Sequence, residues 1–95
     1  MNPVVLINAF EVPAGADEEF VRGWENGRDF LRKQEGFIST RLHRSLSPTA
    51  DFRYVNVALW TSAEAFRAAT SRPEFGNRGN PFRFHAALYE VVRES

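Results

Sequence analysis

Alternation of apolar and polar positions begins almost at the first residue. From Val4 to Val12, Val4, Leu6, Asn8, Phe10 and Val12 share one face of an extended chain, and Val5, Ile7, Ala9 and Glu11 share the other. A single asparagine therefore interrupts an apolar face. Pro13-Ala14-Gly15-Ala16 breaks this first strand, and the period then changes. Phe20, Val21, Trp24, Gly27 and Leu31 recur at helical spacing, opposite a solvated side carrying Arg22, Glu25, Arg28, Asp29, Arg32 and Lys33. Asp17 is placed to cap that helix, Glu18 and Glu19 sit at its positive end, and Gly36 is suited to close it as a left-handed cap.

A second strand is predicted from Phe37 to Leu46, with Ile38, Thr40, Leu42 and Leu46 on one side and Ser39, Arg41, His43 and Ser45 on the other. Its amphipathic pattern suits the edge of a sheet. Turn residues Ser47-Pro48-Thr49-Ala50-Asp51 lead into a third strand, Phe52 to Trp60. Phe52, Tyr54, Asn56, Ala58 and Trp60 form one face and Arg53, Val55, Val57 and Leu59 the other, so this strand is apolar on both sides and reads as central. Asn56 is its odd member, since a buried amide costs free energy unless it is hydrogen-bonded. Thr61 with Glu64 fits a capping box for a second helix that turns Ala65, Phe66 and Ala69 inward and is disrupted by Pro73. Glu74 to Phe84, with Gly76-Asn77-Arg78-Gly79-Asn80-Pro81 inside it, is predicted to be irregular and to act as a mobile lid. His85 to Arg93 completes the set as a last strand.

The order β-α-β-β-α-β predicts an α+β, ferredoxin-like fold: a four-stranded antiparallel sheet with both helices on one face. The first and third strands are then neighbours at its centre. Their Val5-Ile7-Ala9 and Val55-Val57-Leu59 faces are too apolar to be left in water, which predicts a homodimer packed sheet to sheet as an α+β barrel. Asn8 and Asn56 would look the other way, towards the helices.

Composition narrows the partners. The 95 residues form one domain (1–95) with 12 basic and 12 acidic side chains and no basic run, which argues against nucleic acid or an anionic membrane. No apolar run approaches the roughly 20 residues that span a bilayer, and no signal-peptide pattern is present, so a cytoplasmic location is expected. The absence of cysteine excludes thiolate nucleophiles and thiolate metal sites. His43 and His85 are the two histidines; without a compact carboxylate cluster or recognisable ligand spacing, no metal site is expected. His43 reads as solvent-facing, and His85 as an exposed strand start or a residue at a cavity mouth.

Three stretches carry a resemblance: Ile7 to Gly15, Glu35-Gly36-Phe37, and Tyr54 to Phe66. Together they resemble the antibiotic biosynthesis monooxygenase family, dimeric α+β barrels of about this size. Within it, cofactor-free oxygenases that convert polyketide anthrones to quinones have an Asn on the first strand, matched by Asn8, and Asn-x-x-x-Trp on the third, matched by Asn56 and Trp60. Some have a Tyr where this chain has Phe66, and an Arg whose nearest counterpart is Arg78. The haem-degrading branch shares Asn8 but has a Trp and a haem-ligating His at places that fall near Ala69 and Arg78–Gly79.

The resemblance implies a small dimeric monooxygenase that needs no cofactor and oxidises an aromatic, quinol-type substrate with O₂. Asn8 and Asn56 would stabilise the developing oxyanion and Trp60 would wall the pocket, with Tyr54, Phe66, Arg78 and His85 as substrate contacts. A non-catalytic small-molecule-binding dimer of the same fold is the alternative, with Asn56 a satisfied buried amide and Trp60 part of the core. Haem degradation ranks third, because its Trp and His are missing.

Overall fold

A computed structural model describes residues 2–76 and 81–95. Its elements run β1 (Val4–Glu11), α1 (Asp17–Leu31), β2 (Phe37–Arg44), β3 (Tyr54–Trp60), α2 (Ala63–Thr70), a single turn α3 (Pro73–Gly76) and β4 (Arg83–Tyr89). The strands pair antiparallel in the order β2-β3-β1-β4, so β1 and β3 are central, as their two-sided apolar pattern requires. With the helices on one face, this is the ferredoxin-like arrangement. The Cα trace measures 40 × 37 × 16 Å, the thickness of one sheet and one helical layer. No helix among the described residues is long and apolar enough to cross a membrane.

Burial follows the pleat. On β3, Tyr54, Asn56, Ala58 and Trp60 are buried beneath the helices, and Val55, Val57 and Leu59 are half-buried on the open face. β1 does the same, with Leu6 and Phe10 inside and Val5, Ile7 and Ala9 outside. Two apolar clusters hold the helices down. Leu6, Ala58, Trp60 and Ala69 join β1 and β3 to α2, while Phe10, Val12, Phe20 and Tyr54 lock the start of α1. Phe20 is fully enclosed, its ring 4.8 Å from Phe10, 4.6 Å from Tyr54 and 5.6 Å from Phe82.

Several local expectations are corrected. Asp17 does not cap α1. Ala16 occupies the cap without a side-chain bond, and the Asp17 carboxylate instead accepts hydrogen bonds from Tyr54 Oη (2.7 Å) and Arg53 Nε (2.9 Å), tying the helix start to β3. Ser62 rather than Thr61 caps α2, its hydroxyl accepting from Ala65 N at 3.1 Å. α1 ends at Leu31, and Gly36 (φ +91°) serves the turn into β2 rather than the helix end. Part of the stretch expected to be irregular forms α3 and the start of β4; residues 77–80 lie outside the described residues. β4 stops at Tyr89, leaving Val91 and Val92 exposed.

The alternation predicted for β2 also changes phase. Phe37 pairs with Trp60 but Ser39 pairs with Leu59, so Ile38 is an extra residue in a bulge. Phe37, Thr40 and Leu42 consequently all face the helices, while Ile38 is 45% exposed.

Candidate functional site

Between the inner face of the sheet and the helices lies a cavity of about 470 Å³, within the usual range for small-molecule sites. Leu6, Asn8 and Phe10 of β1 and Asn56, Ala58 and Trp60 of β3 form its floor. α1 roofs it with Trp24, Arg28 and Leu31, and beside them Gly23 and Gly27 present no side chain, which thins the roof. Beyond Cα of Gly27 the nearest atom to an added Cβ would be the Phe75 ring, 3.9 Å away. Phe66, Phe75, Phe84 and Phe37 close the ends, so the lining is dominated by aromatic rings.

Two amides sit in this apolar floor, and the sheet register brings them together. Asn8 and Asn56 are direct cross-strand partners in the β1–β3 ladder, both on the inner face. Such partners have Cα atoms only about 4.5–5.5 Å apart. Asn56 is 8% exposed, and its Oδ1 accepts a hydrogen bond from Thr40 Oγ1 at 2.7 Å. That bond anchors the amide plane by its oxygen, and its NH₂ has no hydrogen-bond partner among the described residues. Asn8 Oδ1 is buried and meets no donor among the described residues. A buried acceptor without a partner costs about 1–3 kcal/mol, so this atom is either strained ground or a waiting contact. The cavity therefore offers one free acceptor and one anchored amide donor side by side.

Trp60 is 1% exposed, edge-on to Phe37 (5.4 Å) and Phe66 (5.6 Å), and is at once core and cavity wall. Phe66 lines the cavity as well. Tyr54 does not. Its hydroxyl is engaged by Asp17, and burial, with that carboxylate beside it, pushes its pKa up. Asp17 in turn is held below the usual carboxylate value by the Tyr54 hydrogen bond and by Arg53, against the opposing effect of burial. His85 belongs to the open face of the sheet, paired with Ala9, its Nε2 2.7 Å from Glu11 Oε2 and its ring 5.1 Å from Phe52. It is not at a cavity mouth. His43 is exposed, its Nδ1 3.3 Å from Val55 O. Arg78 lies outside the described residues. Among those that are described, no group of three His, Cys, Asp or Glu side chains is arranged to hold a metal ion.

Thr40 and Arg28 line the cavity although neither was singled out from the sequence. Arg28 was grouped with the solvated side of α1. Its signal was its spacing: it lies four residues after Trp24, on the same stripe, and its guanidinium carbon is 5.5 Å from the Trp24 ring centroid.

Comparison with known proteins decides the family. A model of the antibiotic biosynthesis monooxygenase family matches residues 3–77. The chain belongs to the antibiotic biosynthesis monooxygenase family. Its relatives include a haem oxygenase (mycobilin-producing) of Mycobacterium tuberculosis, 38% identical over 96 residues that cover 95% of this chain and 90% of the relative. A crystal structure of a protein from Shewanella loihica PV-4, provisionally termed a monooxygenase, superposes with a TM-score of 0.88 at 39% identity, covering 98% of this chain and 97% of the other. SnoaB, a cofactor-independent oxygenase from Streptomyces nogalater, has a TM-score of 0.84 at 28% identity, covering 99% and 97% of the two chains. An oxidoreductase of the monooxygenase type follows from this membership. The family holds both haem-degrading and cofactor-independent members, so the substrate has to be argued from the cavity.

Proposed function

We propose that this family member is a cofactor-independent monooxygenase that oxidises an aromatic, anthrone- or quinol-type substrate with O₂, and that it works as a homodimer. The observation that carries the reading is the Asn8–Asn56 pair in an otherwise apolar, ring-lined cavity. A phenolic O–H would donate to Asn8 Oδ1, and the Asn56 amide N–H, held by Thr40, would donate to the oxygen on which negative charge develops. Stabilising that enolate or phenolate lowers the substrate's own pKa enough for its proton to pass to water. The carbanion then gives one electron to O₂, the two radicals combine as a peroxide, and loss of water converts the CH₂ to a carbonyl. One O atom enters the product and one leaves as H₂O, with no other oxidant required. Trp60, Phe37 and Phe66 keep the anion dry and pack on its rings.

An oxygen electrode with 1,8-dihydroxyanthrone tests this. Asn56→Ala is expected to lower the rate about 10²–10³-fold, the usual cost of one oxyanion donor, and Asn8→Ala to act in the same direction. Unchanged oxidation by an Asn56→Ala, Trp60→Phe double variant would sink the proposal. Saturable ligand binding without oxygen uptake would point instead to a non-catalytic binding dimer.

Haem degradation is the second reading, favoured by the 38% identical haem oxygenase. The residues fit it less well. Both histidines of the chain lie on the sheet's open face, so neither is available to a haem in the cavity, and the small Ala69, 3% exposed, fills the place of the branch's Trp. Haem titration followed by a reductant checks it: an unaltered Soret band excludes turnover.

A further inference from the structure

Arg28 is the single charged residue among the described residues that line the cavity. Its side chain is 34% exposed, at the boundary between the cavity and solvent, and it packs over the Trp24 ring at 5.5 Å. Nε and Nη2 both donate to Asp29 Oδ1, at 3.2 and 3.1 Å. A guanidinium has five N–H donors, so three have no hydrogen-bond partner among the described residues after those two bonds. Asp29 also has Arg32 Nη2 at 3.7 Å. Two cations around one carboxylate leave a net positive charge, and Asp29 keeps a partner if Arg28 turns towards a ligand. The arrangement holds a planar, aromatic-backed cation at the mouth of a ring-lined site without neutralising it.

We infer that Arg28 forms an anion subsite of this cavity and selects substrates with a carboxylate at the edge of their aromatic system. The inference rests on the reading of the cavity as a site for fused aromatic rings. The Asn8–Asn56 pair grips the oxygen functions at one end, and Arg28 fixes the other by a charge-assisted bidentate contact. Arg28 is thus a specificity residue, with no part in the oxygen chemistry itself.

Both tryptophans of the protein, Trp24 and Trp60, line the cavity, so intrinsic fluorescence quenching reports occupancy directly. Anthraquinone-2-carboxylate and its neutral isostere anthraquinone-2-carboxamide serve as unreactive probes. The wild type is expected to bind the carboxylate about tenfold more tightly than the carboxamide, an ordinary gain for a charge-assisted contact. Arg28→Gln should abolish that preference, Arg28→Lys should keep part of it, and carboxamide affinity should stay within about twofold in all three. Added salt should shrink the preference in the wild type and in Arg28→Lys, and leave Arg28→Gln unaffected. Equal wild-type affinities of the acid and neutral forms in both the anthraquinone pair and the pair of haem and its dimethyl ester, or a preference that survives Arg28→Gln, would overturn the inference while leaving the cavity reading intact. Saturable binding of neither probe would overturn both. Haem and its dimethyl ester, measured in parallel, separate two sources of the carboxylate. An Arg28-dependent preference confined to the haem pair assigns the subsite to a porphyrin propionate, and one confined to the anthraquinone pair to an aromatic acid.

Discussion

At the scale of the residue, the two amides differ in what they do for the fold. Asn56 satisfies Thr40, so Asn56→Leu leaves a half-buried hydroxyl without its acceptor and is expected to cost about 1 kcal/mol in chemical denaturation. Asn8 Oδ1 satisfies nothing among the described residues, so Asn8→Leu, of similar volume, should leave the denaturation midpoint unchanged or raise it. A variant that gains stability while losing turnover is what a functional amide predicts; a structural one predicts the opposite. Asp17 sets an acid limit of its own. Its folded pKa lies below the unfolded value, so its contribution is fully present above about pH 4 and is lost as pH falls through the folded pKa. Thermal melts of wild type and Asp17→Asn should therefore differ at pH 6 and converge towards pH 2. The role of Asp17 was hidden in the sequence because its position also suits a helix cap, and only the approach of β3 shows which partner wins.

At the scale of the element, strands read from period two held wherever the pairing is regular. β1 and, from Tyr54 onwards, β3 have the faces their alternation predicts, and the Asn8 and Asn56 positions follow from that; Phe52, expected on the inner face, precedes β3 and its ring lies against His85 of the open face. β2 escaped because an inserted residue leaves no mark on composition: Ile38 looks like any strand isoleucine, and only the pairing of Phe37 with Trp60 shows that the phase has slipped. Arg28 escaped for a different reason, since a charged side chain on a helix is assigned to solvent unless something packs on it. Gly36 was recognised as left-handed but attached to the wrong element. A Cβ there would run into the Ala65 side chain and come within 2.9 Å of Thr61 Oγ1. Gly36→Ala combines that clash with an unfavourable φ and is expected to cost roughly 2 kcal/mol or more in urea unfolding. A loss of a few tenths would show that the turn relaxes freely.

At the scale of the whole molecule, the sheet has one covered face and one apolar face that nothing among the described residues covers. Val5, Ile7, Val55, Val57 and Leu59 are only half-buried there. Sedimentation velocity is expected to give a dimer for the wild type and a monomer for an Ile7→Glu, Val57→Glu pair, whose side chains face each other across the β1–β3 ladder. A monomeric wild type at tens of micromolar would remove the dimer from the proposal. The same ladder has a consequence for how the protein becomes competent. Asn8 and Asn56 adjoin only when β1 and β3 zip together across the intervening α1 and β2. Nearly every local contact can form without them, yet the site exists only after this non-local closure, which carries the loop entropy that slows folding. During refolding, helical ellipticity should return ahead of ligand binding, and a nascent chain should be inert until β3 has been made.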